Sequence, residues 1–185
     1  MALLVNTLMF GVELVSSMKA GSVSLLADSA DFLGDAGNYA VSLFVLGMAA
    51  IWRSRAAYAK GVVMGAFGVL VLARALWIGL GSHVPEAETM GVISIVAFAA
   101  NGLVALLLYA FRNGDANMRS VWLCTRNDMI ANLAVLLAAI GVFGTKAGWP
   151  DIAVASIMAF LGLSAARDII GRARSEMRSL STLTS

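Results

Sequence analysis

Charged residues are scarce in this chain. Asp, Glu, Lys and Arg make up 13% of its 185 residues, whereas about a quarter of the residues in a soluble domain are charged. The hydrophobic share is 60%, and the mean hydropathy is +0.86. This composition excludes an ordinary soluble domain and favours a protein that lies in lipid. The net charge is +2, and we expect no nucleic-acid partner.

Cysteine and histidine are each present once, as Cys124 and His83. A single cysteine excludes an internal disulfide. The sequence contains no evident set of nucleophile and base and no nucleotide-binding loop, so we expect no enzyme. A cleavable signal is not evident either, because the first apolar run carries Glu13 and leads directly into the next run.

Long apolar runs are what the chain does have. A helix that crosses the hydrocarbon core needs about 20 apolar residues, and six stretches qualify. They lie at roughly 2–18, 22–52, 56–81, 89–111, 118–143 and 149–170. The alternating pattern of a membrane β-barrel is absent. We therefore predict an all-α membrane protein, a six-transmembrane-helix bundle. Residues 1–178 are expected to form its membrane domain and residues 179–185 a short cytoplasmic tail.

The basic residues lie mainly on one side of this predicted bundle. Nine Lys and Arg fall in the connections after the second and fourth spans and in the C-terminal tail, whereas the opposite loops contain only Lys19 and Lys146. Cytoplasmic loops carry an excess of such residues, so we expect both termini to be cytoplasmic. Arg74 and Arg126 are not explained by this rule. Each lies within an apolar span and needs a partner or a water-filled path.

Two carboxylates, Asp31 and Asp35, are four residues apart within a long apolar stretch. At that spacing both side chains project from the same face of a helix. A carboxylate at membrane depth costs several kcal/mol unless something compensates it, and such residues usually mark ion or proton paths. Oxygen ligands on one face are suited to a divalent cation, or to protons that exchange with it.

A second pair with the same spacing, Cys124 and Asp128, lies in the fifth span. A tetrahedral site for a borderline-soft divalent ion takes four N, S or O ligands at about 2.0–2.3 Å. Two helices that each present such a pair would supply the set. The spacing therefore predicts a metal site at which a metal ion and protons exchange. Its ligands are Asp31, Asp35, Cys124 and Asp128.

The same residues allow two other interpretations. The aspartates could act as counter-ions in a proton-coupled transporter of organic cations that has no metal site. They could also form the acidic patch of a non-transporting membrane subunit, which would bind an Arg or Lys of a partner. Cys124 is the weakest of the four ligands by itself, because a lone cysteine in a membrane span is usually a small hydrophobic residue.

The segments around both pairs resemble a known family. SVSLLADSADFLGDAGNYAVSL is similar to the second span of cation diffusion facilitators, whose motif is His or Asp followed four residues later by Asp. Asp31 and Asp35 occupy these positions. WLCTRNDMIANLAVLLAA is similar to that family's fifth span, which has His-x-x-x-Asp and an Asn four residues after the Asp. Asp128 and Asn132 match this motif, but Cys124 stands where histidine is usual.

The resemblance extends over the whole chain, including Asn6 and Glu13 of the first span. It implies export of a divalent metal from the cytoplasm, driven by proton influx, through a tetrahedral site between the second and fifth spans. The transported substrate would be Zn2+, or else Cd2+ or Co2+. A thiolate in place of histidine favours Zn2+ or Cd2+ over Mn2+ or Mg2+. It also leaves proton coupling to the carboxylates and the thiol.

The resemblance also bears on domains and partners. Many members carry a C-terminal cytoplasmic domain that binds metal and forms dimers, and this sequence resembles a short form without it. A homodimer is therefore an open expectation, beside protons, lipid and the metal ion as partners. The implied location is an integral, multi-pass position in a bacterial inner membrane. Four further residues have an open role in the transport path: Asp28, Asn38, Asn132 and Arg126. We expect Arg126 to neutralise a buried carboxylate such as Asp28 or Glu13, either in the ion path or as a structural pair.

Overall fold

The computed structural model describes residues 1–44, 48, 50–81, 83–109 and 116–183. These residues form α-helices and no strand, which confirms the predicted all-α bundle of six helices. The helices are α1 (Ala2–Ala20), α2 (Val23–Phe44), α3 (Ala50–Gly79), α4 (Ala87–Tyr109), α5 (Ala116–Thr145) and α6 (Trp149–Leu183). Five of them are long and apolar enough to cross a membrane, and α2 is the exception. Its 22 residues include three aspartates, which lower its hydropathy.

Large apolar side chains cover the outside of the bundle. Leu76, Leu106 and Phe160 are each more than 70% exposed. The buried positions, in contrast, are mostly Ala, Val and Ser, with few large side chains. A soluble monomer rarely exposes apolar surface on this scale, whereas lipid tails cover it without cost. The chain is therefore an integral, multi-pass membrane protein.

Helix α2 lies at the centre of the bundle, because it contacts α1, α3, α5 and α6. Among the other helices, α3 packs closely against α6 and α4 against α5, and smaller contacts join α5 with α6 and α1 with α4. Two glycines of α3 allow α6 to approach. A Cβ atom at Gly61 would lie 2.8 Å from Cγ1 of Ile170, and one at Gly68 would lie 2.8 Å from Cγ of Leu163. Small residues at such positions permit tight helix packing in membranes.

The start of α2 is held by α6. Ser22 is the N-cap residue, and its Oγ accepts a hydrogen bond from the N–H of Leu25 at 3.1 Å. Asp151, in the first turn of α6, is fully buried and accepts from the backbone N–H groups of Val23 and Ser24, at 2.8 and 2.9 Å. The hydroxyls of Ser22 and Ser24 also donate to it, at 2.7 and 2.6 Å. A carboxylate at a helix N-terminus satisfies free donors and complements the helix dipole.

Candidate metal site

The three aspartates of α2 meet different neighbours. Asp28 is fully buried, and Asp35 is 7% exposed. Asp31 is partly exposed and lines a cavity of about 20 Å³ together with Met64 of α3 and Met158 of α6. A cavity of this size holds about one water molecule. The acidic face of α2 is therefore directed into the bundle and not towards lipid.

Helix α5 brings Asp128 to this face of α2. The Asp128 carboxyl faces that of Asp35, and it interacts electrostatically with Asp31 and Asp28. Its Oδ2 atom is buried and has no hydrogen-bond partner among the described residues. Asp128 of α5 thus interacts electrostatically with the other two described ligands, Asp31 and Asp35, inside the bundle. They do not yet form a coordination shell, since no three His, Cys, Asp or Glu side chains in the described part of the chain group closely enough to hold a metal ion.

The fourth predicted ligand, Cys124, falls within α5, about one helical turn before Asp128. Its side chain lies outside the described residues, and so does the side chain of Arg126. The thiolate ligand therefore stays a prediction. The same holds for Arg126 as a counter-charge to a buried carboxylate.

A chain of buried polar side chains runs beside these carboxylates and crosses four helices. Nδ2 of Asn132 donates to both carboxylate oxygens of Asp28, at 2.9 and 2.8 Å. Oδ1 of Asn132 accepts from Nδ2 of Asn101, on α4, at 3.0 Å. Glu13 of α1 lies on the other side of Asp28. All four side chains are at most 2% exposed.

Glu13 is the least satisfied member of this chain of polar groups. Its carboxyl faces that of Asp28, yet neither Oε1 nor Oε2 has a hydrogen-bond donor among the described residues. Two carboxyl groups attract each other only when a proton or a cation lies between them. Glu13 also interacts electrostatically with Asp31. Five carboxyl groups on three helices therefore form one acidic cluster, and such a cluster in a membrane bundle requires bound cations or protons.

The sequence predicts part of this cluster. It indicates the aspartates and Asn132, but it does not connect Glu13 or Asn101 with Asp28. Both residues are polar groups within apolar runs, a carboxylate in α1 and an amide in α4, and this is the sequence signal that points to them. Asn38, another residue with an open role in the transport path, is exposed and accepts a hydrogen bond from Nζ of Lys60.

Comparison with known proteins concerns the whole chain. Residues 1–177 match the cation efflux transmembrane domain. The chain is 29% identical over 168 residues to a "Cadmium, cobalt and zinc/H(+)-K(+) antiporter" of Bacillus velezensis, a match that covers 82% of this chain and 53% of that protein. It is 30% identical over 121 residues to "Metal tolerance protein A2" of Arabidopsis thaliana, which covers 58% of this chain and 30% of the plant protein. The chain therefore spans about half the length of the bacterial relative and less of the plant relative.

Proposed function

Because the chain belongs to the cation efflux family, we propose that it exports a divalent metal cation from the cytoplasm in exchange for protons. The substrate is Zn2+, with Cd2+ or Co2+ as alternatives of similar ligand preference. The observation that carries the proposal is the meeting of Asp31 and Asp35 of α2 with Asp128 of α5 inside the bundle. The bacterial relative, named as an antiporter of cadmium, cobalt and zinc, supports the choice of metals. The location is a bacterial inner membrane, with both termini in the cytoplasm.

In this proposal the same side chains of α2 and α5 bind the metal ion at one stage of transport and protons at another. Asp31, Asp35 and Asp128 bind the ion through carboxylate oxygens, and Cys124 supplies a thiolate as the fourth ligand. Without the ion, the carboxylates repel each other and take up protons instead. The metal ion and the protons neutralise the same groups, so binding of the metal releases protons and binding of protons releases the metal. That competition is the physical basis of exchange.

Access to the site from each membrane face requires that helices move relative to one another. Two bodies could move in this way. One is the closely packed pair of α3 and α6, and the other is formed by the helices that carry the carboxylates. Asp31 lies where they meet, because its cavity is lined by α3 and α6 residues such as Met64 and Met158. A rocking motion of the α3–α6 pair would therefore open or close the side of the site next to Asp31.

Metal binding by the purified full chain in detergent tests this proposal. We expect one Zn2+ or Cd2+ ion per chain by equilibrium dialysis. Asp35→Asn and Asp128→Asn should each weaken binding by more than the roughly 10–100-fold that loss of an outer-shell partner causes. Asp168→Asn, a change at an exposed carboxylate of α6, is the matched control and should bind normally. Unchanged binding in both site variants would remove the α2–α5 carboxylates from the proposal.

The role of Cys124 has a spectroscopic test of its own. A Cd2+-loaded sample should show the ultraviolet absorption of a cadmium–thiolate bond, and Cys124→Ser should lose that band while the carboxylates still bind the ion. Cys124→His should restore a nitrogen ligand of the kind that borderline-soft ions accept. A metal-loaded protein without the band would exclude Cys124 from the ligand set.

A further inference from the structure

A groove of about 450 Å³ opens between the ends of α1 and α3 that face away from the cytoplasm. Lys19 and Met18 line it from α1, and Arg74 and Trp77 line it from α3. The loop after α3 closes one end with His83. The groove shares none of its described lining residues with the cavity of Asp31, and the proposed transport does not use it.

The groove carries positive charge. Lys19 and Arg74 line it, and none of the described residues that line it is acidic. Arg74 lies five residues before Gly79, the last residue of α3, so its Cα is about 8 Å below the end of the helix. Neither Lys19 nor Arg74 makes an ion pair or a hydrogen bond with the described residues. A guanidinium at this depth requires an anion or water as its partner.

The surroundings of the groove are apolar. Trp77 is 79% exposed, Leu76 beside it in α3 is 71% exposed, and Leu80, just after the end of α3, is 90% exposed. Met18 on the α1 side is 58% exposed. Tryptophan at this level favours the boundary between lipid tails and headgroups, where its ring is in apolar contact and its N–H can donate. A ligand that fits both features has an anionic head and an apolar body.

The end wall of the groove is held in place by close contacts. Gly21 has a φ angle of +67°, and a Cβ atom there would lie 2.1 Å from Nε2 of His83. The imidazole therefore packs directly on the turn between α1 and α2. The N–H of Glu86 also donates to the carbonyl oxygen of Ala20, at 2.9 Å. These contacts fix the loop after α3 against the end of α1, so the groove is formed before any ligand binds.

We propose that this groove binds the phosphodiester headgroup of an anionic phospholipid in the outer leaflet. Arg74 and Lys19 contact the phosphate oxygens, and the Trp77 ring lies along the upper part of the acyl chains. Charge-assisted hydrogen bonds from guanidinium to phosphate are strong and directional, and basic pockets between membrane helices bind anionic headgroups. The ligand is lipid and not a soluble phosphate, because the groove opens onto the exposed apolar side chains around Trp77.

Fluorescence quenching of the purified full chain tests the proposal. Replacing Trp52, Trp122 and Trp149 by Phe leaves Trp77 as the single reporter. Brominated phosphatidylglycerol should quench Trp77 at a mole fraction about tenfold lower than brominated phosphatidylcholine, the scale of one charge-assisted hydrogen bond. Arg74→Gln should abolish this preference, and Arg74→Lys should retain part of it. Lys146→Gln removes a cation at the same membrane face outside this groove and should leave the preference unchanged.

Three results would overturn the proposal. Equal quenching by the two lipids would show that the groove does not select charge. A preference that survives in both Arg74→Gln and Lys19→Gln would show that these cations are not the ligands, and the second variant decides the matter if the first does not fold. Displacement of the brominated phosphatidylglycerol by soluble glycerol phosphate would identify the ligand as a free phosphate. The metal-binding measurements do not depend on any of these outcomes.

Discussion

Asn132 links two other buried polar side chains, which lie on two different helices. It is fully buried and makes hydrogen bonds to Asp28 and Asn101. Leucine at this position would leave Asp28 without its two donor contacts and Asn101 without its acceptor. Because an unsatisfied buried polar group costs about 1–3 kcal/mol, we expect Asn132→Leu to lower the free energy of unfolding by about 2–4 kcal/mol.

Unfolding in detergent, followed by circular dichroism, measures this effect. The control is Asn38→Leu, which removes an exposed amide of α2 and should cost under about 1 kcal/mol. Equal losses in the two variants would mean that the hydrogen bonds of Asn132 contribute nothing specific to stability.

Replacement of Glu13 by glutamine is expected to raise the stability of the protein, whereas replacement of Asn132 lowers it. The carboxyl of Glu13 faces another carboxyl and finds no donor among the described residues. The amide of a glutamine would fit the same space and could donate to Asp28. A hydrogen bond to a charged group contributes about 1.5–3 kcal/mol, so Glu13→Gln should raise the thermal unfolding midpoint in metal-free detergent solution. Glu13→Leu fills the space without a donor and should not raise it; a higher midpoint for Leu than for Gln would contradict this account of Glu13.

Individual residues of the site differ in how far the sequence predicts them. Asp31, Asp35 and Asp128 are predictable because a charge within an apolar run is costly and their spacing places each on a defined helix face. Asn101 is not predictable in the same way. An amide in an apolar helix signals that some polar partner exists, but only the packing of α4 against α5 shows that the partner is Asn132.

At the scale of helices, the register between α2 and α5 positions the acidic cluster. Counted on the sequence from the outer ends, Asp31 is about nine residues deep and Asp128 about fifteen. In the structure Asp28 faces Asn132. Because the two helices run antiparallel, the start of α2, five residues before Asp28, lies level with position 137 of α5. Helix α5 continues from there to Thr145 and overhangs α2 by about two turns. This overhang brings the carboxylates level, and loop lengths in the sequence do not reveal it.

The anchoring of α2 by α6 gives an element-scale prediction. Asp151→Ala removes the acceptor of four hydrogen bonds at the start of α2. Loss of a buried, hydrogen-bonded carboxylate should lower the free energy of unfolding by about 2–4 kcal/mol. The matched control is Glu88→Ala, since Glu88 is also an acidic residue in a first helical turn but is exposed. If the two changes are equally mild, Asp151 does not hold α2.

The contact between α3 and α6 predicts a contrast between two glycines. A methyl group at Gly61 would lie 2.8 Å from Ile170 and 3.3 Å from the backbone oxygen of Ala166, which cannot move away easily. A methyl group at Gly171 of α6 would have no neighbouring atom within 4 Å among the described residues. Overpacking costs about 1–3 kcal/mol, so Gly61→Ala should destabilise the protein in thermal unfolding. Gly171→Ala should be neutral or stabilising, and the same sign for both variants would contradict the close packing.

For the whole molecule, the sequence predicts the number of helices better than their arrangement. Six long apolar runs follow directly from the thickness of a bilayer, and the bias of Lys and Arg predicts which ends face the cytoplasm. The partners of each helix do not follow from these runs, because the apolar residues of a span such as α4 are not confined to one face. Helix α2 shows the reverse case. Its aspartates make it too polar to be surrounded by lipid, which already indicates a position inside the bundle.

The proposed function requires that a divalent metal cross the membrane through the α2–α5 carboxylates in exchange for protons. Its most direct test is metal uptake into inside-out membrane vesicles that contain the full chain, across a panel of divalent ions, with an acidic lumen or with equal pH on both sides. We predict uptake of Zn2+ and Cd2+, but not Mg2+, that is faster with the acidic lumen and is lost in Asp31→Ala/Asp128→Ala. Normal metal uptake by that double variant would contradict the proposed function. It would also be contradicted if an organic cation, but not a metal ion, drives proton flux.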